Sequence, residues 1–66
     1  MNVDIIRKKC EERNITVSEF EQAAGLASGI VSHWATMKYM PRYDSLQRAA
    51  RFFGCDVSEL VGEEDR

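Results

Sequence analysis

The stretch that decides the fold is Thr16-Val17-Ser18-Glu19-Phe20-Glu21-Gln22-Ala23-Ala24-Gly25-Leu26-Ala27-Ser28-Gly29-Ile30-Val31-Ser32-His33-Trp34. It opens with a capping box, in which the Thr16 hydroxyl and the Glu19 carboxylate satisfy each other's free backbone amides. A helix therefore starts here, turns Phe20, Ala23 and Ala24 inward, and stops at Gly25, the residue type best suited to positive φ. Beyond Gly25-Leu26-Ala27 a further helix is expected over Ser28 to Thr36. Its inner stripe is Val31 and Trp34 at spacing three, and its outer face carries Ser28, Gly29, Ser32 and His33.

Working outward, Asn2 is a candidate cap for a first helix running through Arg13, with Val3, Ile6 and Cys10 recurring at helical spacing while Asp4, Lys8, Glu11 and Glu12 face solvent. Asn14 tolerates the left-handed backbone of a helix stop. On the other side, Pro41 interrupts Met37 to Tyr43, which reads as a loop because proline forbids an interior helical hydrogen bond and biases Met40 to extended geometry. Asp44-Ser45-Leu46-Gln47 repeats the capping logic and opens a fourth helix with Leu46, Ala49, Ala50 and Phe53 inward, closed by Gly54. Asp56-Val57-Ser58-Glu59 caps a short fifth helix that ends at Gly62. Leu60 and Val61 suit either the core or a seam with a second subunit. No segment alternates with the period of a strand, so the expected class is all-α: a compact five-helix domain over residues 1–62, followed by a solvated acidic tail at 63–66.

The whole sequence is 66 residues, room for one small domain and too little for a large enzyme fold or a sheltered pocket. Cys10 and Cys55 belong to no CxxC or Cys/His cluster, so they frame neither a disulfide nor a zinc site. His33 is the sole histidine and has no nucleophile or carboxylate at catalytic spacing; no catalytic residue, metal or cofactor is expected. No apolar run approaches membrane length and the first residues are charged, which suggests a cytoplasmic protein with no membrane partner. The formal net charge is −2, which by itself opposes a nucleic-acid partner. The charges are segregated, however: Ser28 to Phe53 holds Lys38, Arg42, Arg48 and Arg51 against Asp44 alone, whereas Glu11 to Glu21 carries four acids and only Arg13.

A short helix, a sharp glycine turn, and a second helix with small polar side chains outward is helix-turn-helix spacing: one face anchors to a core while the other is free to enter a DNA major groove. From Ile5 to Gly62 the chain resembles the Cro- and lambda-repressor-like helix-turn-helix family. The matching residues are Ile15-Thr16, Ser18-Glu19-Phe20, Gly25-Leu26, Val31-Ser32-His33-Trp34, Pro41, Asp44-Ser45-Leu46, Ala49-Ala50, Phe53-Gly54 and Val57-Ser58-Glu59-Leu60. It is similar to small repressors of Gram-positive bacteria and their phages that carry a Leu-Glu pair in the second helix and an Asn-Gly-Ser-Ile-Ser-Lys-Trp segment in the third. Here those stretches read Phe20-Glu21 and Ser28-Gly29-Ile30-Val31-Ser32-His33-Trp34. An arginine and glutamate that pair in many relatives are Cys10 and Ala35 here, so both members of the pair are absent together, which strands no charge. Val17 and Ser28 stand where the family often has glutamine, and Met37 where it often has glycine.

The resemblance implies a sequence-specific transcriptional regulator, expected to act as a repressor and to bind double-stranded DNA as a homodimer at half-sites about 34 Å apart. Ser28, Gly29, Ser32 and His33 are the candidates for base edges. Thr16, Lys38, Arg42 and Tyr43 are the candidates for phosphates, helped by the amides that begin the second and third helices. Trp34 reads as core rather than as a stacking platform. Ile30 fits the core, a thymine methyl or a partner surface equally. No small-molecule effector domain is expected. The rival reading is a helix-turn-helix fold used to capture protein, as an antitoxin-like or antirepressor-binding module.

Overall fold

The computed structural model describes residues 3–37 and 41–61. Among them the chain forms α1 (Asp4–Glu12), α2 (Val17–Ala23), α3 (Ile30–Thr36), α4 (Tyr43–Phe53) and α5 (Val57–Val61), with no strand. The expected all-α, five-helix architecture is the observed one.

Helix stops follow local chemistry. At the end of α1, Asn14 adopts φ 62°, its N–H bonds the Glu11 carbonyl, and the Ile15 N–H reaches back to the Cys10 carbonyl at 3.0 Å. Gly25 closes α2 the same way, with φ 75° and the Leu26 N–H on the Glu21 carbonyl at 2.8 Å. Both are Schellman closures, in which a left-handed residue lets the chain turn back and satisfy the last free carbonyls. Gly54 ends α4 in the same left-handed backbone.

The core draws on every helix: Val3, Ile6 and Cys10; Phe20; Val31 and Trp34; Leu46, Ala49, Ala50 and Phe53; and Leu60. Leu60 is thus core, and Val61 packs half-buried against it. Phe20 stacks on Phe53 with ring centroids 4.8 Å apart, while Phe52 meets both rings edge-on. Trp34 is buried, as its inward position predicts.

Four local expectations change. Asn2 lies outside the described residues, and α1 starts from Val3 with no side-chain cap; Arg13 is its C-cap rather than its last residue. Ala23 is exposed and Glu21 is buried in its stead, because α2 is rotated so that Val17, Phe20 and Ala24 face the core. Helix α4 begins at Tyr43, with Arg42 as its extended N-cap, so Asp44 sits within the first turn as a favourable charge rather than as the cap. The third helix begins at Ile30, not Ser28: Gly29 precedes it with φ 81°, and a left-handed residue cannot belong to a right-handed helix. Gly62 and the tail at 63–66 lie outside the described residues.

Candidate nucleic-acid interface

The candidate interface is built on the α2-turn-α3 unit. At its start the capping box is complete: the Thr16 N–H donates to Glu19 Oε1 at 2.8 Å and the Glu19 N–H to Thr16 Oγ1 at 3.0 Å. The Thr16 hydroxyl accepts in this arrangement and keeps its own proton to donate outward, since a hydroxyl has one donor and two acceptor positions.

The turn is held from two sides. Arg48 on α4 donates through Nη1 to the Gly25 carbonyl at 3.1 Å. From α2, the buried Glu21 carboxylate reaches across: Oε1 accepts the Gly29 N–H at 2.9 Å and Oε2 accepts the Val31 N–H at 3.0 Å. Glu21 is only 4% exposed and is the one buried charged residue among those described. An acid at the N-terminal end of a helix is favoured by the helix dipole as well as by the two hydrogen bonds. The positive end expected at the start of the third helix is thus met from within the chain: Glu21 accepts from Gly29 and Val31, and the Ile30 N–H bonds the Ala27 carbonyl.

Val31 and Trp34 anchor α3 to the core, leaving Ser32 and His33 exposed on its outer face. Ser28 and Gly29 are exposed too, but in the turn that precedes the helix. Ile30 is half-buried against the core. It shares a shallow cavity of about 290 Å³ with Gly25, Leu26, Ala27, Arg42, Asp44, Ser45 and Arg48, two cations and one acid. Arg42 therefore sits beside the start of α3, although it lies thirteen positions beyond Gly29 in sequence. Tyr43 is 63% exposed and lines a different cavity, with Gln47, Arg51, Cys55 and Val57 between α4 and α5. Lys38, with Tyr39 and Met40, lies outside the described residues.

Sequence reading missed Glu21 and Arg48 as organisers of the turn. In the sequence Arg48 stands out only as local positive charge, and Glu21 only as one of four acids and as half of the Phe20-Glu21 pair. Neither cysteine is paired; burial pushes the Cys10 thiol up, with the Glu21 charge adding to the shift and Arg13 opposing it. Among the described residues no group of three or more His, Cys, Asp or Glu is arranged to hold a metal ion, and no helix is long and apolar enough to cross a membrane.

A family model described as helix-turn-helix matches residues 6–60. No match was found among curated proteins or among solved structures.

Proposed function

This chain belongs to the Cro- and lambda-repressor-like helix-turn-helix family of DNA-binding transcription regulators, and from that premise we propose that it is a sequence-specific repressor that reads the major groove with α3. The observation that carries the proposal is the outward face of α3: Ser32 and His33 are exposed on a helix whose opposite face, Val31 and Trp34, is buried. In this reading Ser32 and His33 read base edges from the helix and Ser28 reads from the turn before it, while Gly29, whose N–H is held by Glu21 and whose carbonyl accepts the His33 N–H, contributes close approach of the backbone and no hydrogen bond to a base. Thr16 offers its hydroxyl proton to a phosphate. Arg42, beside the start of α3, and Lys38, by its place in sequence between α3 and α4, supply cations for phosphates, and Tyr43, exposed at the start of α4 on the side of the cavity between α4 and α5, offers its hydroxyl to a phosphate there. The protein works in the cytoplasm, without a metal or cofactor.

A homodimer completes the proposal, since two copies related by a two-fold axis would read half-sites about one helical turn, ~34 Å, apart. Few cations face the groove in this reading, so affinity is modest and its salt dependence shallow, close to −0.9 in log K per log salt for each phosphate neutralised. Selection of bound duplexes from a random pool tests all of this together. A palindromic consensus with half-sites one turn apart is the expected result. Absence of binding to any duplex at about 50 mM salt with tens of micromolar protein overturns it.

One observation favours a second reading, capture of a protein partner: the net charge of −2 with only short side chains and one histidine on the outer face of α3. Lys38→Ala with Arg42→Ala separates the two. DNA reading requires duplex affinity to fall, whereas protein capture leaves partner binding unchanged.

A further inference from the structure

We infer that Glu21 is a positioning residue for DNA reading, the side chain that fixes where α3 starts and how its outer face is turned relative to α2. This rests on the DNA-reading assignment above. Two helices of the same unit solve the same problem differently. At α2 the cap is local, because Thr16 and Glu19 belong to the segment they cap. A local cap stabilises a helix wherever that helix lies. At α3 the residue in the cap position is Gly29, which has no side chain and stands at φ 81°, so no local cap is possible. The donors of Gly29 and Val31 are instead taken by the two oxygens of one carboxylate that belongs to α2.

That difference has a geometric consequence. A rigid carboxylate whose oxygens bind amides two residues apart fixes both the rotation of α3 about its axis and its distance from α2. Ser32 and His33 follow Val31 directly, so their direction is set by the Val31 bond, and the Thr16 hydroxyl at the head of α2 is held in the same frame. Burial makes the constraint firm: a carboxylate 4% exposed has little water to exchange partners with, and losing one buried charge-assisted bond leaves an amide unsatisfied. Because Glu21 holds the Gly29 and Val31 amides, those two donors are unavailable to DNA.

The test uses the full chain and Glu21→Gln. Glutamine keeps the shape but replaces one acceptor oxygen with an NH₂ donor, so one of the two amides faces a donor and loses its bond. Two readouts are taken at a temperature where circular dichroism shows the variant as helical as the unaltered chain. The first is amide hydrogen exchange at Gly29 and Val31, expected to quicken at least tenfold at one of them. The second is the ratio of affinity for a selected duplex to affinity for a scrambled one, expected to fall about tenfold, the scale of one misread base pair, with binding to the scrambled duplex little changed. A merely structural role would lower both affinities together. An unchanged ratio overturns the inference whatever the exchange shows, and unchanged exchange at both amides shows that Glu21 does not hold them. If Glu21→Gln does not fold, the unaltered protein decides: through-hydrogen-bond scalar couplings from the Gly29 and Val31 nitrogens to the Glu21 carboxylate carbon are expected, and their absence with both amides unprotected overturns it. Loss of all duplex preference by the unaltered chain is a different outcome, which refutes the DNA-reading assignment.

Discussion

Arg13 and Phe53 lie forty residues apart, yet the Arg13 guanidinium donates through Nη2 to the Phe53 carbonyl at 2.8 Å and stands 5.2 Å from the centre of the Phe53 ring. It also lies 5.6 Å from the Phe52 ring. One side chain at the end of α1 thus neutralises the carbonyl end of α4, where a cation is favoured by the helix dipole, and covers an aromatic cluster that includes Phe20. Arg13→Ala should cost about 1–2 kcal/mol from loss of the charge-assisted bond and ring contact. Arg13→Lys should recover only part of it, because an ammonium lacks the flat face that stacks on a ring. Urea unfolding reads both. A loss under about 0.5 kcal/mol for Arg13→Ala would show the contact to be energetically idle.

Gly25 and Arg48 make a second testable pair. Gly25 needs its left-handed φ of 75°, and a Cβ there would also stand 3.3 Å from Arg48 Nη1. Gly25→Ala should therefore cost about 1–2 kcal/mol from backbone strain alone. Arg48→Met removes the donor to the Gly25 carbonyl and is expected to cost about 1 kcal/mol. If alanine at position 25 displaces the guanidinium, the two costs overlap and the double variant loses less than their sum. Additive losses would mean that Arg48 keeps its bond and the strain is purely local.

Much of the fold was legible because the same residues carry local and tertiary signals. The Val3, Ile6, Cys10 stripe, the Val31, Trp34 pair and the Leu46, Ala49, Ala50, Phe53 stripe all became core, and the Thr16–Glu19 capping box formed as its spacing predicts. What failed was the assumption that a small apolar residue faces in and an acid faces out. Ala23, expected inward, is exposed, and Glu21, to which the pattern gave no inward role, is buried. A signal existed: the direction shared by Val17, Phe20 and Ala24 on a helical wheel points closer to Glu21 than to Ala23. The start of α3 was misread for a related reason. Ser28-Gly29 looks like a helix opening when only side chains are considered, but Gly29 is held left-handed by a carboxylate eight residues upstream, and no local rule contains that partner. For the interface, exposure of Ser32 and His33 followed from periodicity, whereas the closeness of Arg42 to α3 depends on how the α3–α4 connection folds back.

The cysteines give a pH prediction. Burial raises the Cys10 and Cys55 thiols above the ordinary value of 9.0 in the folded protein. Between that value and the raised one, the unfolded chain has released protons that the folded chain still holds, so stability is complete below about pH 9 and falls as pH rises further. The thermal midpoint should therefore drop between pH 8 and pH 10.5 at roughly constant ionic strength. In a Cys10→Ala variant the midpoint should be lower at neutral pH, because a buried side chain is removed, but its fall across the alkaline range should be shallower. An equal alkaline slope in both proteins would remove Cys10 as a cause. At neutral pH both thiols stay protonated, so native-state alkylation at Cys10 should be slow and should track unfolding.

The phosphate assignment can be separated from base reading by salt. A cation that neutralises a phosphate contributes about −0.9 to the slope of log K against log salt, whatever the sequence bound. Arg42, exposed at the cap of α4 and lining the cavity at the start of α3, is a suitable group, as is Lys38 by its position in sequence after α3. Arg42→Ala should therefore flatten the slope by about 0.9 and weaken a selected and a scrambled duplex alike, and Lys38→Ala should do the same. Ser32→Ala or His33→Ala should instead leave the slope unchanged and weaken the selected duplex by about 1–3 kcal/mol relative to the scrambled one. Fluorescence anisotropy at four salt concentrations measures both quantities. If Arg42→Ala changes the preference between duplexes without changing the slope, Arg42 reads bases and the division of roles between α3 and the α4 cap is wrong.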